Sequence, residues 1–454
     1  CTSRPAIICR VVVFPQPEGP SSVTNSPFCT SRDKSSTAKL QAMADGASRD
    51  LRVRGILQYH GAGTGRWAGR KLQPQNMPRP GIDQDSIEDA IAHINDADYL
   101  RCMYGPPMQV VSDCLRGMIM APTGKELISA DYANIEGRML AWLSGEEWKL
   151  DAFRRYDNKT GPDLYLVAAG QIYNIDPKQA KPYRQVGKTA ELALGYQGGV
   201  GAFQTMARGY GVDMAPTFDS LWERATDKQR SKAVSLWERW AKKNGYSPVM
   251  PLDYPVVSNR FIASDLTKQF WREAHPNVTS YWYALEEAAK QAVRDKGNIY
   301  CAGPDDHRQI RFKQSGSFLF MRLPSGRRIC YPYPQIKEIT PPWAEEESDE
   351  KRPALTYMGV DSLTKSWKRQ IAYGGMLTEN AVQGIARDVL VEGIFQVEEA
   401  GYDVIFHVHD EIVAEIDEGW GDVESFEELM IPKAEWANGC PIVAEGWRGK
   451  RYRK

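Results

Sequence analysis

The spacing of apolar residues along the chain changes between a period near 3.6, typical of helices, and a period of two, typical of strands. Residues 125–132 (KELISADY), with Leu127 and Ile128 at their centre, predict a strand, and a helical pattern follows directly at 135–143. The middle of the chain has the helical spacing of apolar residues, and in much of the last third apolar and polar residues alternate as in strands. The other predicted helices cover 86–95, 162–173, 182–196, 218–244, 263–296 and 377–400, and the other predicted strands cover 310–320, 321–333 and the two arms of a hairpin at 402–416.

This order predicts an α+β protein in which one sheet-bearing domain is interrupted by a helical insertion of about 170 residues. Residues 1–36 are rich in Ser, Thr and Pro and show no helical period. We therefore expect them to be a disordered tail or sequence foreign to the rest, with organised sequence beginning near Ala38.

The overall composition excludes several classes of protein. The chain has 454 residues, of which 42% are hydrophobic, and its 57 Lys and Arg balance 58 Asp and Glu, which excludes wholesale disorder. No apolar run approaches the roughly 18 residues of a membrane span. The eight cysteines form no CxxC pair, so a structural zinc site is not expected. We expect a soluble, reduced protein of the cytoplasm, with no membrane partner.

The balanced total charge hides local asymmetry. Residues 51–80 carry six Arg and Lys and no acidic residue, whereas 343–350 is an acidic run that we expect to be a solvated loop. A basic segment of this kind is sufficient for phosphate contacts, so the near-neutral total does not exclude a polyanionic ligand.

Three carboxylates stand where predicted strands end. Asp131 lies at the end of the strand at 125–132, and Asp410 and Glu411 lie at the tip of the hairpin. Carboxylates in such positions can converge on one edge of a sheet and hold two divalent cations about 4 Å apart, which activate a hydroxyl and stabilise a leaving oxygen. Alternatively, Asp131 caps the next helix and the hairpin acids serve only the turn. Neither segment alone decides between these interpretations.

A second candidate site is a basic helix. Arg184, Lys188, Leu192 and Tyr196 recur every four residues and would form one ridge on a helix. Arg and Lys one turn apart near a helix N-terminus suit a triphosphate, because Lys acts as a point charge and Arg as a fork. The alternative is a solvated basic face with Leu192 and Tyr196 packed inward.

Together, these segments resemble the family A (polymerase I-like) DNA polymerases, and most of all their bacteriophage members. The match rests on the order of five segments along the chain as well as on their residue identities, and it covers most of residues 50–416. The segments are TGR at 64–66 with QNMP at 75–78, DYANIEGR at 131–138, RxxxKxxxLxxxY at 184–196, NAVQG at 380–384 and VHDE at 408–411.

The resemblance implies a right-hand fold, with an antiparallel palm sheet and helical fingers inserted between the palm halves. On this basis residues 37–80 would be a thumb remnant and primer–template segment, 81–150 and 301–454 the two palm halves, and 151–300 the fingers. A thumb in this family precedes the TGR segment and is longer, so we expect a truncated thumb here.

The implied activity is template-directed DNA synthesis in phage DNA replication, in which a transferase adds dNTPs to a primer 3′-hydroxyl. The implied partners are primer–template DNA and dNTPs, the implied cofactor is a pair of Mg²⁺ ions, and a processivity partner is not indicated. Asp131 and Asp410 would hold the metals, with the backbone of Tyr132 as a further ligand and Glu411 as an auxiliary catalytic carboxylate.

The resemblance also implies roles in binding. Arg184 and Lys188 would hold the triphosphate, and Lys188 would give a proton to pyrophosphate, while Glu136 would exclude a ribose 2′-hydroxyl by its bulk. The remaining implied nucleotide contacts are Leu192, Tyr196 and Tyr165, and the implied DNA contacts are Arg66, Gln75, Asn76, Gln383 and His409.

The sequence departs from the family pattern in places that leave other functions open. Leu192 stands where many members have Phe or Tyr, Tyr165 stands where bacterial members have His, and Gln197 replaces a Gly. A single-subunit RNA polymerase is one alternative, although it would want a small residue at Glu136. A truncated polymerase relic that binds DNA without chemistry is another. A metal-dependent nuclease has no further acidic cluster to support it.

Overall fold

The computed structural model describes residues 10–12, 31–246, 255–340, 351–361 and 363–453. The chain divides into two compact units. The first unit comprises Cys1–Ala133, Ala386–Ala434 and Ile442–Lys454, and the second comprises Asn134–Ile385 and Glu435–Pro441. A sheet-bearing unit is therefore interrupted by an inserted one, as the order of patterns predicts.

The helices of the described residues mostly begin and end at recognisable signals. Asp163 caps one helix by accepting a hydrogen bond from the Leu166 amide, and Thr226 and Gln229 form a capping box. The helices are α1 Ser31–Gly46, α2 Gln84–Ala92, α3 Ala97–Met103, α4 Pro107–Cys114, α5 Ile135–Ser144, α6 Glu147–Asp157, α7 Leu164–Tyr173, α8 Arg184–Leu194, α9 Val200–Gly209, α10 Phe218–Arg224, α11 Asp227–Lys243, α12 Pro255–Ala274, α13 Pro276–Arg294, α14 Gly374–Glu399 and α15 Val423–Met430.

The strands pair in antiparallel fashion throughout the described residues. They are β1 Arg10–Val12, β2 Arg52–Arg54, β3 Leu57–Gln58, β4 Ala68–Gly69, β5 Lys125–Tyr132, β6 Ile299–Ala302, β7 Ile310–Ser315, β8 Phe318–Arg322, β9 Arg328–Pro332, β10 Gln335–Ile339, β11 Arg352–Val360, β12 Trp367–Ala372, β13 Asp403–Val408, β14 Glu411–Asp417 and β15 Ala444–Gly449.

The first unit is built on a four-stranded sheet with the order β13-β14-β5-β15. Strand β5, between β14 and β15, has the bounds that the sequence predicts, 125–132. Its residues 127–130 are buried in succession. Leu127 and Val413 pack with Phe406 in a core that also contains Val53 and Met43. Helix α15 packs against β5 and β15. This sheet fixes the positions of the carboxylates.

The expectation of a structureless tail over residues 1–36 requires correction. Strand β1 pairs with β2, and α1 begins at Ser31 and buries Met43 in the core of the unit. Apolar periodicity misses the start of α1 because residues 31–37 are all polar or charged. Residues 1–9 and 13–30 lie outside the described part of the chain, as does the acidic run at 343–350.

The second unit contains α5–α13 and two further antiparallel sheets, with the orders β6-β7-β8-β9 and β10-β11-β12. Helix α13 packs against β6 and β7, so residues 301–385 belong with the helical insertion and not with the first unit. The two compact units change at residues 134 and 386, whereas the palm and fingers bounds at 151 and 301 stay a prediction. A turn at Gly316 also splits the predicted strand 310–320 into β7 and the start of β8. Among the described residues, no helix has the length and apolar character needed to cross a membrane.

Candidate functional site

The first unit brings Asp131 and Asp410 to the same end of its sheet. Strands β14 and β5 pair so that Glu411 lies opposite Asp131, and the Tyr132 amide donates a hydrogen bond to the Asp410 carbonyl at 3.2 Å. Asp410 and His409 form the tip between β13 and β14, where His409 has a φ of 55°. Both aspartates are partly exposed. Two segments far apart in sequence thus bring these two aspartates to the same end of one sheet.

Glu411 occupies a different environment from the aspartates. It is buried, and its two carboxylate oxygens accept hydrogen bonds from Ser129 Oγ at 2.8 Å and from the Tyr452 hydroxyl at 2.6 Å. Burial and the adjacent Glu411 charge raise the pKa of Tyr452, which keeps the phenol protonated as a donor. Glu411 is therefore braced by two neighbours within the first unit.

The donor set at this sheet end suits Mg²⁺ but does not form a complete protein cage. Mg²⁺ takes oxygen ligands, keeps several waters and is usually bound through one or two carboxylates plus substrate phosphates. Asp131 and Asp410 supply two such carboxylates. Within the described residues no group of three or more His, Cys, Asp and Glu side chains is arranged to hold a metal. The residues fit a metal that substrate oxygens help to bind.

Tyr132 is held firmly beneath the aspartates. Its side chain is buried, and its hydroxyl donates a hydrogen bond to the Met430 carbonyl at 2.6 Å. Gly393 of α14 permits this approach, because a Cβ there would lie 2.4 Å from the Tyr132 hydroxyl. The backbone between Asp131 and the next helix is thus anchored through the tyrosine ring.

A shallow recess in the first unit collects three of the predicted DNA contacts. Arg66, Gln75 and His409 all line it, together with Trp67 and His407. Trp67 meets the His407 ring edge-on at a centroid distance of 4.5 Å. Burial, helped by two neighbouring cationic groups, lowers the pKa of His407 to about 4, so this histidine is neutral at pH 7.

The other two predicted DNA contacts lie elsewhere. Asn76 is exposed at the end of a 3₁₀ turn, and its amide nitrogen donates a hydrogen bond to Gln73 Oε1 at 2.7 Å. Gln383 belongs to the second unit, on α14, and its amide nitrogen bonds to Glu379 Oε1 at 3.0 Å. The recess does not include either residue.

In the second unit, α8 carries the predicted basic ridge on its solvent side. Arg184 is exposed, Lys188 is half-buried, and Leu192 is 39% exposed, so the alternative in which Leu192 packs inward is wrong. The buried face contains Val186, Gly187, Thr189, Ala190, Ala193 and Leu194. The predicted helix 182–196 is shorter than expected, because 181–183 form a 3₁₀ turn and α8 ends at Leu194. Tyr196 therefore lies beyond the helix end.

Neighbouring elements orient the two basic side chains. Arg184 Nε donates a hydrogen bond to Asp163 Oδ2 at 2.8 Å, and its guanidinium lies 5.3 Å from the ring centre of Tyr165. The ammonium of Lys188 lies 4.9 Å from the ring centre of Tyr210. The predicted nucleotide contacts Arg184 and Tyr165 thus belong to one local cluster.

Gly187 explains how that cluster forms. A Cβ at this position of α8 would lie 2.1 Å from the Tyr165 carbonyl oxygen on α7. Only glycine allows this approach of the two helix backbones.

The remaining predicted nucleotide contacts are joined by one hydrogen bond. The Tyr196 hydroxyl donates to Glu136 Oε2 at 3.0 Å. The next residue, Gln197, has a φ of 64°, and its Oε1 accepts a hydrogen bond from the Gly375 amide at 3.0 Å. Gln197 thus adopts the backbone conformation that glycine favours and adds a side-chain contact that glycine lacks.

Sequence reasoning missed the residues that support both sites. Glu191 of α8 forms an ion pair with Lys149 and accepts a hydrogen bond from Trp271 Nε1 at 2.8 Å. In the first unit, Glu445 of β15 lies opposite Asp131 in the backbone pairing of β15 with β5, and it is exposed. Spacing gave no signal for the burial of Glu191, because a residue seven after Arg184 and three after Lys188 lies beside the ridge on an ideal helix. Glu445 and Tyr452 lie in a segment without a clear pattern.

No family model matches the chain. Its sequence is 32% identical over 427 residues to the DNA polymerase of Bacillus phage SP02, an alignment that covers 93% of this chain and 56% of the relative. Over nearly its whole length the chain is therefore similar to a phage DNA polymerase, in agreement with its resemblance to the family A DNA polymerases. Shorter alignments match DNA polymerase I of Treponema pallidum (35% over 91 residues, 20% of this chain and 8% of the relative) and the DNA polymerase of Mycobacterium phage D29 (30% over 138 residues, 29% and 21%).

The same family fold is found among solved structures. The POL domain of Pol1 from M. smegmatis, solved in complex with DNA primer-template and dNTP, aligns with a TM-score of 0.50 at 16% identity, covering 92% of this chain and 51% of that one. The chain spans about half the length of the phage SP02 relative and of the POL-domain chain.

Proposed function

We propose that this chain catalyses template-directed DNA synthesis in phage replication, adding dNTPs to a primer 3′-hydroxyl. The observation that carries the proposal is the backbone pairing that sets Asp131 and Asp410 at one end of the same sheet. The names of the SP02 and D29 relatives support the same activity.

In this proposal Asp131 and Asp410 hold Mg²⁺, assisted by the anchored backbone at Tyr132. Bound Mg²⁺ would supply the activation of the primer hydroxyl and the neutralisation of charge on the phosphates. Glu411 keeps the hairpin tip in place through Ser129 and Tyr452, and so acts as a positioning residue. This assigns Glu411 a different part from that of a metal-facing carboxylate.

The nucleotide is assigned to the exposed side of α8. Arg184 and Lys188 provide two positive charges one turn apart for the triphosphate, and Lys188 is the proton donor to pyrophosphate. Leu192 and Tyr165 border these charges, and Tyr196 contacts the templating base. Glu136, held by Tyr196, excludes a ribose hydroxyl, which favours a DNA polymerase over the RNA polymerase alternative.

The primer–template is assigned to Arg66, Gln75, Asn76, His409 and Gln383. The recess lined by Arg66, Gln75 and His409 supports contact with the minor groove, where acceptors occur on every base pair and the contact carries little sequence information. In anatomical terms, we assign residues 81–150 and 301–454 to the palm and residues 151–300 to the fingers.

Primer extension with Mg²⁺ tests the proposal. Asp131→Ala and Asp410→Ala should each lower extension by at least about a thousandfold, since each removes a metal ligand, while primer–template affinity changes little. Asp403→Ala, which alters an exposed aspartate on the adjacent strand β13, is the matched control and should extend primers normally. A well-folded wild-type chain that binds DNA without extending it would support the relic alternative, and activity retained by Asp410→Ala would refute the metal assignment.

A further inference from the structure

The sheet β10-β11-β12 of the second unit has one covered and one exposed face. Leu355 and Ala372 are opposite each other in register and both are buried. Tyr357, two residues after Leu355, meets the Tyr331 ring edge-on at a centroid distance of 5.2 Å. Because side chains alternate along a strand, the residues between these positions lie on the other face.

The exposed face is formed by three cross-strand pairs. Val360 lies opposite Trp367, Met358 opposite Arg369, and Thr356 opposite Ile371. Thr356 and the preceding residue on this face, Ala354, are buried, so the exposed part of the face lies toward Val360 and along β12. Trp367 is 54% exposed and Ile371 is 42% exposed, although both are large apolar side chains. Exposed apolar side chains concentrated on one face mark a binding surface more often than solvent-facing structure.

Arg369 is held in place at the centre of this face. Its Nη1 donates hydrogen bonds to the Tyr333 carbonyl and to Thr356 Oγ1, both at 3.1 Å. Tyr333, at the junction of β9 and β10, is itself 55% exposed. Both bonds use one nitrogen, whereas a guanidinium has five N–H donors, so a positioned arginine lies among exposed aromatic side chains.

The charge of this segment indicates the chemistry of a partner. Residues 351–373 contain a single acidic residue, Asp361, and five basic residues: Lys351, Arg352, Lys365, Lys368 and Arg369. Asp361 accepts a hydrogen bond from the Thr364 amide at 2.7 Å and pairs with Lys368 at 3.1 Å. The acidic run at 343–350 directly precedes this segment and Lys368 lies on the other face, so the charge that a polyanion complements is that of the face itself. Among the described strand positions of this face there are three basic residues, Lys337, Arg352 and Arg369, and no acidic one.

We propose that this face, defined by Tyr333, Trp367, Arg369 and Ile371, binds single-stranded DNA. Unpaired bases stack on exposed aromatic rings and the phosphates pair with basic side chains, a combination typical of sequence-tolerant single-strand binding. In duplex DNA the bases are already stacked on each other, so a duplex would not stack on the exposed aromatic rings of this face. Strand β12 has six residues and spans about 20 Å, enough for several nucleotides. The face shares no residue with the proposed catalytic groups, so the inference extends beyond the proposed function.

Fluorescence anisotropy with a labelled oligothymidylate of about 20 nucleotides, with no dNTP present, tests this site in the full chain. Trp367→Ala should weaken binding about 5- to 100-fold, the range found when a stacking aromatic is removed. Trp367→Phe should keep most of the affinity, because phenylalanine also stacks, but it should lose the tryptophan quenching that accompanies binding. Arg369→Ala should weaken binding and reduce the salt slope by about 0.7. Tyr283→Ala, at a 60% exposed tyrosine on α13, is the matched control and should bind normally.

The outcomes separate this inference from its rivals and from the proposed activity. The inference is overturned if Trp367→Ala, with normal thermal unfolding, binds the oligonucleotide with wild-type affinity. It is also overturned if Tyr283→Ala loses as much oligonucleotide affinity as Trp367→Ala. An equal loss for a duplex of the same length would contradict the single-strand assignment. Self-association that Trp367→Ala abolishes would identify a protein interface instead. Asp410→Ala should bind the oligonucleotide normally, so failure of primer extension leaves this test intact.

Discussion

At the scale of single residues, the hydrogen bond between Tyr196 and Glu136 links two predicted nucleotide contacts. Glu136 excludes a ribose by bulk only if its side chain is held in one position, and the Tyr196 hydroxyl holds it at 3.0 Å. Tyr196→Phe removes one hydrogen bond, worth about 1 kcal/mol, so we expect ribonucleotide use relative to dNTP use to rise about fivefold. Glu136→Gly should raise it much further, because it removes the side chain itself. The ratio of kcat/KM for rNTP and dNTP measures both effects.

The control for this pair is Tyr283→Phe, which removes a hydroxyl from an exposed tyrosine and should leave the ratio unchanged. If Glu136→Gly raises ribonucleotide use and Tyr196→Phe does not, Glu136 is held by other contacts. If neither variant changes the ratio, sugar selection lies elsewhere in the chain.

At the scale of elements, α8 is anchored by a buried carboxylate, Glu191, that lies beside its basic ridge. Glu191 pairs with Lys149 of α6, and His275, at the junction of α12 and α13, approaches it to 3.1 Å. Burial raises the pKa of Glu191, but its interactions with Lys149 and the His275 ring outweigh burial and hold that pKa below its usual range. We expect Glu191→Ala to lower the free energy of unfolding by about 3–5 kcal/mol, because it leaves the Lys149 charge buried without its partner. Urea denaturation measures the loss.

Two comparisons make that prediction specific. Glu223→Ala, at an exposed glutamate on α10, should change the unfolding free energy by less than about 0.5 kcal/mol. Combining Glu191→Leu with Lys149→Met should restore most of the stability, because apolar side chains of similar volume replace the buried pair. A Glu191→Ala chain as stable as the wild type would show that the ion pair does not anchor α8.

The same elements show what local pattern can and cannot predict. Strand β5 was predicted with its bounds because its central residues, Leu127 and Ile128, are apolar and buried. Strand β15 was missed because its sequence, AEGWRG, has two glycines and two charges and owes its place to pairing with β5. The approach of Asp131 to Asp410 could be expected from strand ends. The burial of Glu411 could not, because its partner Tyr452 is supplied by the far end of the chain.

At the scale of the whole molecule, net charge does not describe how the chain meets DNA. The total of −1 arises from 57 basic and 58 acidic residues, yet residues 51–80 contain six basic residues and no acidic one. The region includes Arg66, which lines the recess assigned to DNA. Affinity should therefore depend on local phosphate contacts, each of which releases counterions when it forms.

This dependence gives a prediction that the total charge alone would not make. Affinity for primer–template should fall about a thousandfold between 50 and 200 mM salt if roughly six phosphates are neutralised. Arg66→Ala should reduce the slope of log affinity against log salt by about 0.9 if that side chain contacts a phosphate, and should leave the slope unchanged if it contacts only base edges. Arg294→Ala, at a partly exposed arginine on α13, is the control and should preserve affinity and slope alike. A flat salt response in the wild-type chain would mean that the basic segment at 51–80 does not bind phosphate, and the DNA contacts assigned to the first unit would then have to be abandoned.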